Sequence, residues 1–392
     1  VSAAQAIRKR DSEGRCILVS ADHYMPYDRP PLSKNFLADE KVTEDDAASK
    51  FDNFYPDNKI ELMLKTVVTH IDITNNVATL KDGKKIGYEK LLLATGSTPR
   101  TLHLDGHDWE GILTLRTVDD AKRLREAMKT AKRAVIVGAG FLGPEVASQC
   151  AAKGIDTTLI MPHSHIWDRF ASAALGDFMN RYYESKGVKL LPHLQVGSFD
   201  EGAVTTSNKT RLDADFVLLA IGVKQNLELA EKSGIGCTPN GVRVDETLRT
   251  TDADVYAAGD ITEFPDIAMD RRYHVEHHLN ARWQGEVAGA NMAGDHMEYD
   301  RVPYFFSDFF DLHMILRGQC DSTTNTRLLG SYGSADFIEL CADQSGVLRM
   351  GVAISRDEKK LDPISDRLEE LIRARVKADS LTLDDFKATA SA

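Results

Sequence analysis

The feature that most restricts the fold is a glycine loop held between two periodic segments. Arg133–Val137 reads as a strand buried on both faces, the next six residues are Gly138-Ala139-Gly140-Phe141-Leu142-Gly143, and a helical pattern then runs to about Lys153. In that context Gly138 allows a tight turn, Gly140 lets the backbone approach a pyrophosphate, and Gly143 packs helix closely on strand. The helix N-terminus adds N–H donors and a partial positive charge. A tight structural turn is the alternative, but it does not explain the position between a strand and a helix. The expected dinucleotide site comprises Gly138, Gly140, Phe141, Leu142 and Gly143, together with Gly222, where the 216–221 strand ends.

The rest of the chain supports an α/β fold. A helix at 117–130, a strand at 157–161, a helix at 174–186 and a strand at 216–221 surround the loop in the alternation of an open parallel sheet. Before it, Leu91-Leu92-Leu93-Ala94 reads as a doubly buried strand, residues 60–80 as a hairpin turning at Thr74-Asn75-Asn76, residues 15–20 as a short strand, and the stretch from Lys34 to about Lys50 as a polar helix. Residues 2–10 look like the end of an alanine-rich helix. After it come Val255-Tyr256-Ala257-Ala258-Gly259-Asp260 and a helix at about 276–293. From 300 onward short strands (337–341, 348–355) and a helix at about 363–377 suggest a separate α+β domain.

Charge and cysteine content narrow the function. A net charge of -12 disfavours nucleic acid, whose binding rests on Lys and Arg, and no apolar run approaches the ~20 residues of a membrane span. The five cysteines, Cys16, Cys150, Cys237, Cys320 and Cys341, show neither CxxC nor zinc spacing. They read as reduced thiols of an intracellular compartment, cytoplasmic and mitochondrial being indistinguishable, with no redox couple. No metal site is expected.

Two further places hold candidate residues. An acid about 20 positions past the glycine loop normally accepts the NAD ribose, but Met161, Pro162 and His163 occupy that place. His163, His165 or Arg169 accommodating a 2′-phosphate and a plain solvated loop are both open readings, so NADH and NADPH are not separated. In Pro26-Tyr27-Asp28-Arg29-Pro30-Pro31-Leu32-Ser33-Lys34, prolines fix an extended turn and Arg29 and Lys34 offer cationic donors. By composition alone this is a surface turn.

Four motifs in one order change that reading: the Tyr-Asp-Arg-Pro-Pro-Leu-Ser-Lys string, Leu93-Ala94-Thr95-Gly96, the glycine loop with Phe141 and Glu145, and Tyr256-Ala257-Ala258-Gly259-Asp260. Over residues 1 to about 310 the chain resembles the FAD-dependent pyridine nucleotide reductases of the ferredoxin reductase, apoptosis-inducing factor and monodehydroascorbate reductase group. The resemblance implies two Rossmann-like domains of glutathione-reductase type, for FAD (1–105 and 226–300) and NAD(P)H (106–225), plus a C-terminal α+β interface domain (301–392). It implies that Arg29 contacts the FAD diphosphate, that Lys34 lies near flavin N5 paired with Glu145, that Ala94, Thr95 and Gly96 meet FAD at a strand end, and that Asp260 holds a ribityl hydroxyl. Phe141 matches an aromatic gate at the nicotinamide. Glu276-His277-His278, otherwise a solvated run, resembles a segment under the flavin pyrimidine in which one histidine, taken as His278, stacks near the isoalloxazine. Phe306 in Phe305-Phe306-Ser307-Asp308 matches an aromatic placed against the flavin, while most nearby aromatics read as core.

The family's first glycine loop and first strand are expected to precede residue 1, and Ala21 stands where an adenine-ribose acid is usual, with Asp22 adjacent. The implied activity is hydride transfer from NAD(P)H, NADH favoured, to FAD and then electron delivery to a ferredoxin-type protein, a quinone or monodehydroascorbate. The alternative is a slowly turning-over signalling protein like the apoptosis-inducing factors. A homodimer is left open.

Overall fold

Buried apolar runs dictate the parallel core. In the computed structural model, which describes residues 1–51, 53–266, 269–321 and 323–387, Arg133–Val137 lies at the middle of a five-stranded parallel sheet. One neighbour is Asp156–Ile160, backed by Lys189–Leu191, and the other is Phe216–Leu219, backed by Ile112–Leu113. The strand order therefore reverses beside Arg133–Val137, the place where open α/β sheets bind ligands at their carboxyl ends. Val135, Val137, Ile160, Val217 and Leu219 form its core with Phe199 and Val204 of an antiparallel three-stranded meander, Val196–Asp200, Ala203–Thr206 and Arg211–Asp213. The helix Val118–Thr130 starts at a capping box between Thr117 and Asp120.

These elements belong to one of two compact units, made of Arg29–Thr43, Pro99–Val223 and the chain from Tyr304 onward. Its C-terminal part is an antiparallel sheet in the order Tyr304–Phe309, Leu312–Gly318, Leu348–Ser355, Asp336–Ala342, Thr326–Ser331. The helix Leu361–Arg373 lies on that sheet over Gly351, where a Cβ would stand 2.3 Å from Leu368. Buried Arg317 fastens them, donating from Nε to Ser365 at 2.8 Å and pairing with Glu369 at 3.1 Å.

Two expectations are corrected in this unit. Three short turns occur here, at Pro30–Ser33, Asn35–Ala38 and, in the other unit, Asp45–Ala47, and the polar stretch after Lys34 forms no longer helix. Asp39 ends the second by turning to extended backbone and accepting the Lys41 N–H, the local competition that makes Asp a poor interior helix residue. Phe36 and Leu37 are nonetheless fully buried, with the Arg125 guanidinium 4.1 Å from the Phe36 ring. The cysteines are also not all thiols: Cys320 and Cys341 form a disulfide with a Cα separation of 6.3 Å. Gly318 and Cys341 face Met350 from opposite sides, so sheet pairing across 21 residues joins what local spacing could not reveal. Cys16, Cys150 and Cys237 are free, and burial pushes the Cys150 thiol up to about 12, which makes it unreactive.

The other unit comprises Val1–Asp28, Glu44–Thr98 and Lys224–Pro303. Parallel pairs join Cys16–Val19 to Ile60–Met63 and Leu91–Leu93 to Val255–Ala257. Leu93 is buried, whereas Leu91 and Leu92 are only half-buried, so the expected double burial is partial. Val68–Asp72 and Val77–Leu80 form the hairpin, closed by Asp72 accepting the Thr74 and Asn75 N–H groups. The helix Ser2–Arg8 buries Ala3, Ala4 and Ala6 against the helix His278–Met292. Contact is close enough that a Cβ on Gly289 would stand 2.3 Å from the Ala3 carbonyl oxygen. Among the described residues no helix is long and apolar enough to cross a membrane.

Candidate functional site

Each glycine of the loop meets a different steric demand. Gly138 has φ +108°, and a Cβ there would lie 2.3 Å from the Ala220 carbonyl oxygen. At Gly143 a Cβ would come within 1.8 Å of the Gly138 carbonyl oxygen. Gly140 has nothing within 4 Å of its Cβ position. Two glycines thus close the turn and the third leaves the backbone open. The helix Leu142–Ala152 begins at Phe141 with no side-chain cap among the described residues, and, since Pro144 lacks an N–H, the donors its first turn offers an anion are those of Leu142 and Gly143. Gly222 is exposed, beyond the neighbouring Phe216–Leu219 strand at the sheet's switch point. The open cradle and uncapped helix fit a dinucleotide pyrophosphate.

The inward side of that helix's first turn carries a charge cluster. Glu145 is 7% exposed. Its Oε1 accepts from Lys34 Nζ at 3.0 Å and from the Ser307 hydroxyl, and its Oε2 accepts from Ser33 Oγ at 2.5 Å. Lys34 Nζ also lies 3.3 Å from Asp308 and 5.6 Å from the Phe306 ring centroid. A buried carboxylate persists only with such partners. The family resemblance named Lys34 and Glu145, and the structure brings them together. Ser33, Ser307 and Asp308, which lie in the strings that carried the resemblance but were given no role of their own, complete the cluster.

Phe141 is sandwiched between Phe305, with centroids 3.5 Å apart, and Phe170 at 4.5 Å, both stacked. Phe305, one of the aromatics of which most read from sequence as core, is thus the ring that stacks on Phe141, while Phe306 sits by Lys34. His163 is exposed, its Nδ1 4.0 Å from Asp168, which also lies 3.3 Å from His165. An acid does therefore reach the region after the Asp156–Ile160 strand, supplied by the following loop. Sequence spacing missed Asp168 because the loop folds back.

In the other unit, the strand-end segment Ala94-Thr95-Gly96 is strapped by Asn226. Thr95 Oγ1 donates to the Asn226 carbonyl at 2.8 Å, Asn226 Nδ2 to the Thr95 carbonyl at 2.9 Å, and the Asn226 N–H to the Gly96 carbonyl at 2.9 Å. Ala94 and Thr95 are exposed there. Buried Asp260 accepts from Ser97 Oγ at 2.6 Å. Beside it Gln284 Oε1 accepts from the Gly259 N–H at 2.8 Å and from Thr262 Oγ1 at 2.9 Å. Gln284 is fully buried, yet its Nε2 has no hydrogen-bond partner among the described residues. A buried amide donor without an acceptor is what a polar ligand satisfies, so these residues fit a flavin nucleotide. Asp22 accepts instead from its own loop, from the His23 N–H and Tyr27 hydroxyl.

His277 immediately precedes the helix that starts at His278, whose Nε2 is 4.0 Å from Asp28, and Glu276 is 3.0 Å from His274 Nε2. Burial pushes the His274 ring down, but the Glu276 hydrogen bond, the Thr262 carbonyl and the charges of Glu276 and Asp260 outweigh it and leave it raised. Arg29 is exposed, at the start of the Pro30–Ser33 turn.

Comparison with known proteins gives the family. The family model for pyridine nucleotide-disulphide oxidoreductases matches residues 1–285. The chain is 32% identical to the ferredoxin–NAD(+) reductase component of the anthranilate 1,2-dioxygenase system of Burkholderia cepacia, covering 90% of this chain and 88% of that one. It is 30% identical to apoptosis-inducing factor 3 of Mus musculus over 94% of this chain and 60% of that one. The crystallised covalent putidaredoxin reductase–putidaredoxin complex superposes with a TM-score of 0.90 at 26% identity, covering 96% of this chain and 91% of that one. The chain belongs to the pyridine nucleotide-disulphide oxidoreductase family and is an oxidoreductase using FAD and NAD(P)H, similar to the ferredoxin reductases.

Proposed function

We propose that this protein moves electrons from NADH through FAD to a small iron–sulfur protein. The observation that carries the reading is the buried Lys34–Glu145 pair on the first turn of an intact glycine-loop helix, in a chain whose relatives include ferredoxin–NAD(+) and rubredoxin–NAD(+) reductases. Bound FAD supplies the ability to accept a hydride and to release electrons singly.

The chain's own residues bind, orient and set charge. Gly138, Gly140, Leu142 and Gly143 hold the NADH pyrophosphate, Gly222 lines the same strand ends, and Phe141 covers the nicotinamide. Asp168, near His163 and His165, accepts the adenine-side ribose, which favours NADH over NADPH. Arg29 pairs with the FAD diphosphate, Ala94, Thr95 and Gly96 meet FAD along the strand end, and Asp260, steadied by Ser97, takes a ribityl hydroxyl. Glu276, His277, His278 and Phe306 border the flavin ring. Glu145 fixes Lys34, so that a positive charge stands in place before reaction, the preorganised arrangement that accelerates charge movement. In this reading 1–105 with 226–300 serve FAD, 106–225 serve NADH, and 301–392 form the interface domain.

Steady-state turnover with a panel of acceptors tests the proposal. A ferredoxin-type or rubredoxin-type protein is expected to be reduced with a kcat/KM at least about tenfold above that for monodehydroascorbate or a quinone, and NADH is expected to outperform NADPH. Preference for the organic acceptors contradicts it. The second reading, a slowly turning-over protein like the apoptosis-inducing factors, draws on Glu276-His277-His278 and the similarity to that mouse protein. It expects slow turnover with every acceptor and NADH-dependent dimerisation in sedimentation.

A further inference from the structure

Lys34 is held between two carboxylates of different burial. The Glu145 side chain is 9% exposed and already accepts two serine hydroxyls, whereas that of Asp308 is 40% exposed. Asp308 divides its oxygens: Oδ2 lies 3.3 Å from Lys34 Nζ, and Oδ1 meets His313 Nδ1 at 2.7 Å. The second contact is built into the sheet, because Asp308 and His313 are directly opposite in the pair Tyr304–Phe309 and Leu312–Gly318, which a tight turn at Phe310-Asp311 joins. On the other side of its strand His313 is opposite Ser355, an uncharged residue that accepts the Asp357 N–H. The His313 side chain is 31% exposed, so the cluster runs from a buried carboxylate to a solvent-accessible ring.

We propose that His313 is a positioning residue that sets, through Asp308, how much of the Lys34 charge is presented to the bound flavin. The inference rests on the reading above that Lys34 and Glu145 serve that cofactor. With a neutral ring the cluster holds one cation against two carboxylates, and Asp308 draws Lys34 outward. With a charged ring Asp308 is balanced by His313, the cluster is neutral overall, and Lys34 keeps its charge for the site. Histidine is the side chain whose ordinary charge change falls nearest neutrality. Acidification therefore favours the reduced cofactor beyond what proton uptake by the cofactor itself requires.

The test is the redox equilibrium between the FAD-loaded full chain and the NADH/NAD+ couple, read from the visible spectrum between about pH 6 and 8.5. A unit charge at this range changes that equilibrium by about tenfold. The wild type is expected to show this additional pH dependence, and His313→Gln and Asp308→Asn are each expected to abolish it. An undiminished dependence in His313→Gln overturns the proposal. A second readout needs no cofactor: in thermal unfolding, Lys34→Gln and His313→Gln are expected to be non-additive, because each leaves Asp308 with a single partner. Additive shifts overturn the proposed link. Failure to bind FAD instead contradicts the functional reading, and the unfolding cycle still decides whether His313 and Lys34 are coupled.

Discussion

The first turn of the Leu142–Ala152 helix and the glycine loop before it are made in opposite ways. The loop is satisfied by backbone from nearby strand ends: Gly138 against Ala220, and Gly143 against Gly138 itself. Two residues past Gly143, Glu145 depends on Ser33, Lys34 and Ser307, which arrive from distant stretches of chain. The loop's steric requirements are thus set by backbone alone, at Gly138 by the end of a neighbouring strand and at Gly143 within the loop itself, while the buried charge is assembled from distant side chains. The first kind of site fails through a single methyl group, the second through loss of any distant partner.

The largest expected effect breaks the assembled half. Lys34→Met leaves Glu145 buried without its cation, a change that costs about 3–5 kcal/mol, measured by denaturant unfolding. An unchanged midpoint would show that the two serine hydroxyls suffice. Gly143→Ala breaks the local half by forcing helix and loop apart, at about 2–3 kcal/mol, with loss of NADH binding. Gly140→Ala separates closure from recognition, since among the described residues no atom lies within 4 Å of its Cβ position. Its stability is expected to stay within about 0.5 kcal/mol, while the NADH dissociation constant, followed by fluorescence, rises about tenfold as the methyl group enters the pyrophosphate space.

That contrast also explains what was legible before any coordinates. The glycine loop could be read because glycine spacing between a strand and a helix is a local pattern, although Gly138 answers to distant Ala220, and the parallel sheet because its strands are continuous apolar runs. Lys34 and Glu145 were found only through family resemblance. Nothing in the composition of residues 26–34 distinguishes a ligand of Glu145 from a surface turn. Ser307, Asp308 and His313 come together through strand register, Asp168 reaches His163 and His165 from a loop that folds back, and the Cys320–Cys341 bond follows sheet pairing. Each depends on contacts between residues far apart or on backbone direction, which local spacing does not encode.

The smallest effect concerns pH. His274 titrates above its ordinary value in the folded protein, for the reasons given above. The stability this adds is therefore full below the unfolded histidine's value and disappears as pH rises through the folded one. Melting curves of wild type and His274→Gln are expected to differ at acidic pH by about 1 kcal/mol and to converge at alkaline pH. A difference that grows with pH contradicts the assigned sign.

The most direct test of the central claim is the anaerobic visible spectrum of the purified protein after incubation with FAD, before and after NADH. Bound-flavin bands that survive desalting, bleach on NADH addition and return with an oxidised ferredoxin-type protein are expected. A protein that keeps its fold and binds NADH but retains no flavin, or whose flavin NADH does not bleach, contradicts the account.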